Sequence, residues 1–412
     1  MRVLKVPVWL LLLALVGLTT ARADDGARGF AACLDDLASA ARSEGISDAL
    51  VDEVLPGLEF QPRVIELDRA QPEFQQSFAA YLRGRVSVIR IQQGRVLLAR
   101  HRALLDGLTR ETGVPGHVLV ALWGMESDYG RVTGRMPILD SLATLACDPR
   151  RSEFFRDQLL TALRLVERES LEPSALRGSW AGAMGQTQFM PSAFYAHAVD
   201  GDGDGRIDLW NSPADALASG ANKLRNMGWN PGQRWGREVR LASDFAFEKS
   251  GLERPRALEE WAALGVRRAD GAALPVADMD ARLLLPMGHT GPAFLVYDNF
   301  DVLLSWNRSI SFAIAVGHLA DRIAGGGALQ AELPDRERMM STAEMAGLQR
   351  RLAELGYDPG EPDGILGPAT RGALRAFQLD RGLIADGYPD ERTRAALDEV
   401  VASGVQARGG VE

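Results

Sequence analysis

Glu126 ends the most apolar helical run in the chain. Val118, Leu122 and Glu126 fall at successive steps of four, so they share one stripe of a helix that begins at Pro115 and is flanked by Leu119 and Trp123. A carboxyl at the end of such a stripe is partly withdrawn from water, which favours its protonated form and suits a general acid. Asp128, two residues on, points elsewhere. The competing reading is a glutamate that is exposed, or paired with an arginine, at a helix end.

A second segment, Gly178–Ser192, alternates small residues with hydrogen-bonding and aromatic ones. Its glycines and alanines permit close backbone approach. Ser179, Gln186 and Gln188 supply uncharged polar groups, and Trp180 and Phe189 supply faces. Amides beside aromatic rings suit a sugar, with its hydroxyl edges and C–H faces. Tight packing of two helices would use much the same composition.

The third signal is acidic. Asp200, Asp202, Asp204 and Asp208 occupy positions one, three, five and nine of a loop with Gly205 at position six, the pattern of a calcium loop. Asn211 stands at position twelve, where a glutamate is usual. The expected ion is structural Ca2+, and the alternative is a polar turn without metal. No organic cofactor is implied. Neither a Gly-x-Ser-x-Gly elbow nor a phosphate-binding Gly-x4-Gly-Lys loop is present. The five histidines are scattered and read as structural. Cys33 and Cys147 are the only cysteines, either one disulfide or two buried thiols.

These groups need a frame. From Phe30 to about Ile323 the chain reads as a long helical body. Phe78, Leu82, Val86 and Ile89 recur at helical steps, as do Leu159, Leu163 and Val166, and later Ile310, Ile314 and Leu319. Residues 230–290, rich in Gly and Pro, read as short strands and loops inserted in that body. Gly325 to Ser341 has linker composition. A three-helix module follows, with Leu348, Leu352 and Leu355 on its first helix, Pro368 opening the second, and Asp390 capping the third. The fold class is therefore mainly α, with a small β insertion and a small C-terminal helical domain.

The 412 residues are 46% hydrophobic and 25% charged, with net charge −9. That balance excludes a disordered chain and argues against nucleic-acid binding. Residues 1–23 read as a secretory signal: Arg2 and Lys5, an apolar stretch from Val6 to Leu18 too short to span a bilayer, then Ala21-Arg22-Ala23. Its removal deletes three basic residues and deepens the acidity. No later stretch reads as a transmembrane segment.

Across roughly Phe30 to Ile323 the chain resembles the lytic murein transglycosylase B family. The residues that carry the likeness are Met125-Glu126-Ser127, Tyr129-Gly130-Arg131, Ile138 to Leu145, Ala181 to Gly185, Gln188 to Pro191, and Trp306-Asn307-Arg308-Ser309. The resemblance implies a lysozyme-like core that cleaves the β-1,4 bond between N-acetylmuramic acid and N-acetylglucosamine, leaving a 1,6-anhydro sugar and consuming no water. It implies Glu126 as the single acid and base. It places Ser179, Gln188 and Phe189 in a sugar groove, and Asn307 near an acetamido group with Trp306 beside it. Arg150, Arg151 and Phe154 match a substrate-lining stretch, and Tyr81 is a further lining residue. It also implies a calcium loop using Asp200, Asp202, Asp204, the Arg206 carbonyl, Asp208 and, from beyond the loop, Asp215.

The C-terminal module resembles the type 1 peptidoglycan-binding domain through Leu348-Gln349, Leu355-Gly356-Tyr357, Asp363-Gly364, Thr370 and Ala376-Phe377-Gln378. The expected organisation is a signal (1–23), a catalytic domain (24–324), a linker (325–341) and a binding domain (342–404). The expected protein is periplasmic, monomeric and directed at peptidoglycan glycan strands, with other cell-wall enzymes as conceivable partners. The alternatives are a hydrolytic muramidase and a non-catalytic wall-binding protein.

Overall fold

The computed structural model describes residues 29–70, 76–334 and 340–408. The proposed signal and part of the proposed linker lie outside the described residues. The chain forms two compact units, each discontinuous in sequence. One takes the chain up to Ala70 together with Gly130–Ser219; the other takes Gln71–Tyr129 with Gly220–Glu412.

In the first unit, a helix over 29–43 is followed by Asp48–Val54, whose start is capped by the Ser47 side chain accepting from the Leu50 amide. The core is the pairing of helix Ile138–Ala146 with helix Ser152–Glu169, which also packs against Pro191–His197. Leu142, Leu159 and Leu163 have no exposed surface, matching the helical periodicity read for that stretch. Two short antiparallel strands, β1 (Met136–Pro137) and β2 (Arg177–Gly178), pin the ends of this helical pair. Cys33 and Cys147 are joined as a disulfide across 114 positions of sequence, so of the two readings of the cysteines the structure takes the bridge.

The second unit is built around helix Gly116–Ser127, packed between Val88–Arg100 and Ile310–Ile323. This helix is buried on every side from Val118 to Met125, rather than along one stripe as expected. The reason lies in its neighbours: a helix enclosed on several faces must be apolar all round. Gly124 leaves room for the Tyr129 ring, which an added Cβ would meet at 2.7 Å. Gly317 plays the same part for Trp235, whose ring would sit 2.2 Å from an added Cβ.

The periodic run Phe78–Ile89 is not one helix. The first helix stops at Arg85, and Ser87 caps a new one from Val88 by accepting from the Arg90 amide. Ile89 is consequently outside the core and 73% exposed.

The inserted region forms a five-stranded antiparallel sheet from β3 (Gly236–Arg240), β4 (Arg256–Ala257), β5 (Arg267–Arg268), β6 (Asp280–Leu284) and β7 (Ala293–Val296), in the order β4-β6-β7-β3-β5. Its apolar side gathers Val239, Leu258, Trp261, Leu283 and Leu295. The Trp261 indole donates to the Ala281 carbonyl at 2.9 Å, which satisfies the one polar atom of a fully buried ring.

The C-terminal module has helices Thr342–Glu354, Pro368–Asp380 and Glu391–Arg408 around Leu348, Leu352, Leu374, Phe377 and Leu397. Its two turns are held by buried glutamines in equivalent ways. Gln349 donates to Asp363 and Thr370 and accepts from the Gly364 amide. Gln378 donates to Asp386 and Thr393 and accepts from the Gly387 amide. Each buried amide is thus satisfied at both ends. The module is seated on the sheet region of the same unit. Arg371 donates to the Leu285 and Pro286 carbonyls at 3.2 and 3.0 Å, Arg375 pairs with Glu253, and Asp386 accepts from the His289 amide at 2.8 Å. Burial pushes the Arg371 guanidinium down to about 10, so it carries its charge into this contact at neutral pH.

Candidate active site

Glu126 lies in the last turn of the central helix. Asp128 (φ 53°) and Tyr129 (φ 62°) both turn into the left-handed region immediately after it and end the helix. Asp128 tolerates that conformation, and its carboxylate pairs with Arg90 at 3.4 Å. The Tyr129 hydroxyl donates to the Arg90 carbonyl at 2.7 Å. The chain after Glu126 is thereby anchored from both sides, and the neighbouring carboxylate is committed elsewhere.

Glu126 itself is half-buried. Its Oε1 accepts the Trp306 indole N–H at 2.6 Å, a short contact of the charge-assisted kind. Trp306 closes the helix Asp298–Trp306. Its ring carries a second neighbour: the Lys223 ammonium stands 3.9 Å from the ring centroid. Burial lowers the Lys223 pKa to about 8, and the charge of Glu126 works against that fall. Asn307 follows Trp306 in extended backbone and is exposed. Tyr81, on the helix Phe78–Arg85, lines a cavity of about 670 Å³ together with Leu304, Arg308 and, from the C-terminal module, Leu366 and Arg394.

The remaining sequence-predicted residues belong to the first unit. Ser179 accepts the Ala181 and Ala183 amides at 3.3 and 3.0 Å and so shapes its own turn. Gln188 sits at φ 48° and donates to the Thr133 and Gly185 carbonyls. Phe189 corrects an expectation: its side chain has no exposed surface, so the ring is a core residue beneath this segment and offers no face to a sugar. An isolated bridge between Met184 and Phe189 turns the segment and draws the ring inward. Arg150 and Arg151 both bind Asp68, the former at 2.8 Å. Asp68 is almost fully buried, so the pair compensates a buried anion. Both arginines remain partly exposed, and Phe154 is 48% exposed while its neighbour Phe155 is buried.

The acidic loop brings Asp200, Asp202 and Asp204 together, with one carboxylate oxygen of each within 4.8 Å of the others. Backbone amides converge on Asp200, chiefly that of Gly205 and then that of Gly203, and hold its carboxyl below the usual range. Three hard oxygen ligands on an exposed loop fit a calcium ion. Asp208, Asp215 and Arg206, the other expected ligand residues, take part in the same hydrogen-bonded loop, as Asp200 itself does. Asp215 is buried and takes the Gly201 and Asp208 amides, both within 2.8 Å. Asp208 takes the Trp210 and Asn211 amides, and the Arg206 amide donates to Asp204.

Lys223 was not legible as a site residue. It falls outside every motif, on a helix that also carries Arg225. The one signal is its setting between the buried residues Ala221 and Leu224, a position where lysine is costly without a partner.

A mainly helical core that presents one half-buried glutamate carboxylate to an indole donor is that of a lysozyme-like, glycan-cleaving class. Residues 29–321 match the model of the transglycosylase SLT domain, and residues 341–397 match a peptidoglycan binding domain. The chain belongs to the transglycosylase SLT family. It is 35% identical over 251 residues to membrane-bound lytic murein transglycosylase B of Escherichia coli K12, covering 60% of this chain and 68% of that protein. The crystal structure of SltB3 from Pseudomonas aeruginosa in complex with NAG-anhNAM-pentapeptide is similar over 90% of this chain and 99% of that one, with 43% identity and a TM-score of 0.85. The Escherichia coli lytic transglycosylase Slt35 in complex with calcium matches at 30% identity and a TM-score of 0.62, over 71% of this chain and 92% of that one.

Proposed function

We infer that the protein is a peptidoglycan lytic transglycosylase in which Glu126 works alone as acid and then base. The observation that carries this reading is the Glu126 carboxylate held at 2.6 Å by the Trp306 indole, with its neighbour Asp128 diverted to Arg90. Most glycosidases need a second carboxylate to activate water or to act as nucleophile. A nucleophile already carried by the substrate removes that need.

In the first step Glu126 gives its proton to the glycosidic oxygen, and the bond from that oxygen to the anomeric carbon breaks. In the second the C6 hydroxyl of the same muramic acid attacks the anomeric carbon, and its proton returns to Glu126. The enzyme ends as it began and no water enters. Trp306 donates to the carboxylate form and so steadies it between the two transfers. Ser179, Gln188, Asn307, Arg150, Arg151, Phe154 and Tyr81 are proposed to contact the sugars or their substituents.

Asp200, Asp202 and Asp204, with the Arg206 carbonyl, Asp208 and Asp215, are proposed to hold a structural calcium ion, which when bound would neutralise charge on the loop. The C-terminal module would bind the same polymer. Cell-wall action and a disulfide are consistent with an exported, periplasmic protein. Among the described residues no helix is long and apolar enough to cross a membrane.

Digestion of purified sacculi tests the reaction. Products lighter by one water, with 1,6-anhydro ends, are expected. Reducing-end muramic acid throughout would make the protein a hydrolytic muramidase, and no release at all would leave a wall-binding protein.

A further inference from the structure

We propose that Lys223 is a positioning residue for the reaction, pressing the Trp306 indole against Glu126 and supplying the positive charge that the Glu126 anion meets each time it gives up its proton. This rests on the assignment of Glu126 as acid and base.

Three groups from three separated parts of the chain form one stack. Lys223, on the helix Pro213–Asn226, places its ammonium 3.9 Å from the centroid of the Trp306 ring. The N–H of that ring is the donor to Glu126. A cation over an indole face draws electron density from the ring and makes its N–H a stronger donor. The same cation lies within electrostatic reach of Glu126, whose charge bears on it directly. The other charged groups on or beside these elements are engaged elsewhere: Asp128 with Arg90, Arg225 with Glu111 at 3.9 Å, Asp215 with the Gly201 and Asp208 amides, Asp298 with Gln233, and Asp301 with Arg282 at 2.6 Å. Arg308, two residues after Trp306, lines the cavity shared with Tyr81.

The physical consequence concerns timing. Proton transfer to the leaving oxygen creates a carboxylate in a half-buried site, and a desolvated anion there is costly without a partner. Lys223 and the indole together supply that partner, which strengthens Glu126 as an acid. When Glu126 is protonated again, one charge of the pair is gone and burial acts on the lysine alone. Facing the ionised carboxylate its pKa is about 8, so Lys223 is charged at neutral pH in the state where the anion needs it.

The test is the pH dependence of kcat/KM on a soluble muropeptide tetrasaccharide, using the full chain. In wild type the alkaline limb follows loss of the proton from Glu126. In Lys223→Met, with no cation to favour the anion, that limb should move up by about one pH unit, while the maximal rate falls at least about tenfold. Lys223→Arg should return the limb to its wild-type position, whereas a merely structural lysine would lower the rate in both variants without moving the limb. A limb that stays in place in a folded Lys223→Met protein overturns the proposal. Glu126→Gln is run alongside: if it retains activity, the underlying assignment fails; if it is inactive while the limb does not move, only the role of Lys223 fails.

Discussion

Trp306 and Glu126 are 180 residues apart in sequence, and the indole nitrogen of one lies 2.6 Å from a carboxylate oxygen of the other. Helix Ile310–Ile323, which follows Trp306, packs directly on the helix that carries Glu126. That packing is what brings the donor to the acid.

Removing the acid should abolish the reaction and leave the fold. Glu126→Gln keeps shape and removes the exchangeable proton, so muropeptide release should fall by roughly a thousandfold. Its stability should stay within about 1 kcal/mol of wild type. Trp306→Phe keeps the ring and deletes the donor. A hydrogen bond to a charged group contributes about 1.5–3 kcal/mol, so a loss of roughly ten- to a hundredfold is expected. Activity near wild type in either variant contradicts the assignment.

Calcium should stabilise the first unit. At a hundredfold excess over its dissociation constant an ion binding only the native state adds about 2.7 kcal/mol, equivalent to several degrees in a protein of this size. Chelation should lower the Tm by about 5 °C, and Asp204→Asn should blunt the response to added calcium. A Tm indifferent to chelator argues that the loop is a polar turn.

Acid should weaken the fold through His318. Its side chain is 8% exposed, and burial followed by the charge of Arg322 lowers its pKa to about 4. The unfolded chain then binds a proton that the native state refuses. Stability is therefore full above pH 6.5 and declines as pH falls toward 4, by as much as about 3 kcal/mol. Burial lowers the pKa of His117 and His101 as well, which adds to the same trend. Urea midpoints between pH 7 and 4 should converge for wild type and His318→Gln if this group carries the effect, and run parallel if it does not.

Reduction of the disulfide should destabilise the protein strongly. Closing a loop of 114 positions restricts the unfolded chain by about 4–5 kcal/mol on the loop-entropy account. The Cys33→Ser, Cys147→Ser double variant should show a correspondingly lower urea midpoint, and an unchanged midpoint would mean the bridge adds nothing.

Much of this architecture is legible in the sequence because it depends on local periodicity. Leu159, Leu163 and Val166 announce their helix, Pro368 opens another, and Asp390 caps a third through the Thr393 amide. The break at Ser87 was hidden because its flanking apolar residues keep helical spacing across it. Phe189 misled because aromatic residues in a glycine-rich segment look the same whether they face inward or outward; the bridge to Met184 decides it. The stack of Lys223 on Trp306 and the seating of Arg371 and Arg375 on the sheet region come from tertiary proximity. No motif or spacing in the sequence singles these basic residues out.

The first unit is split by the excursion from Gln71 to Tyr129, yet Cys33 and Cys147 lie on opposite sides of that split. A protease that nicks the chain anywhere between the two cysteines leaves both fragments covalently attached. Nicked protein would run as one band without reductant and as two with it. Cleavage there could pass unnoticed on a non-reducing gel, and a cut just before Glu126 would not by itself release the helix that carries it.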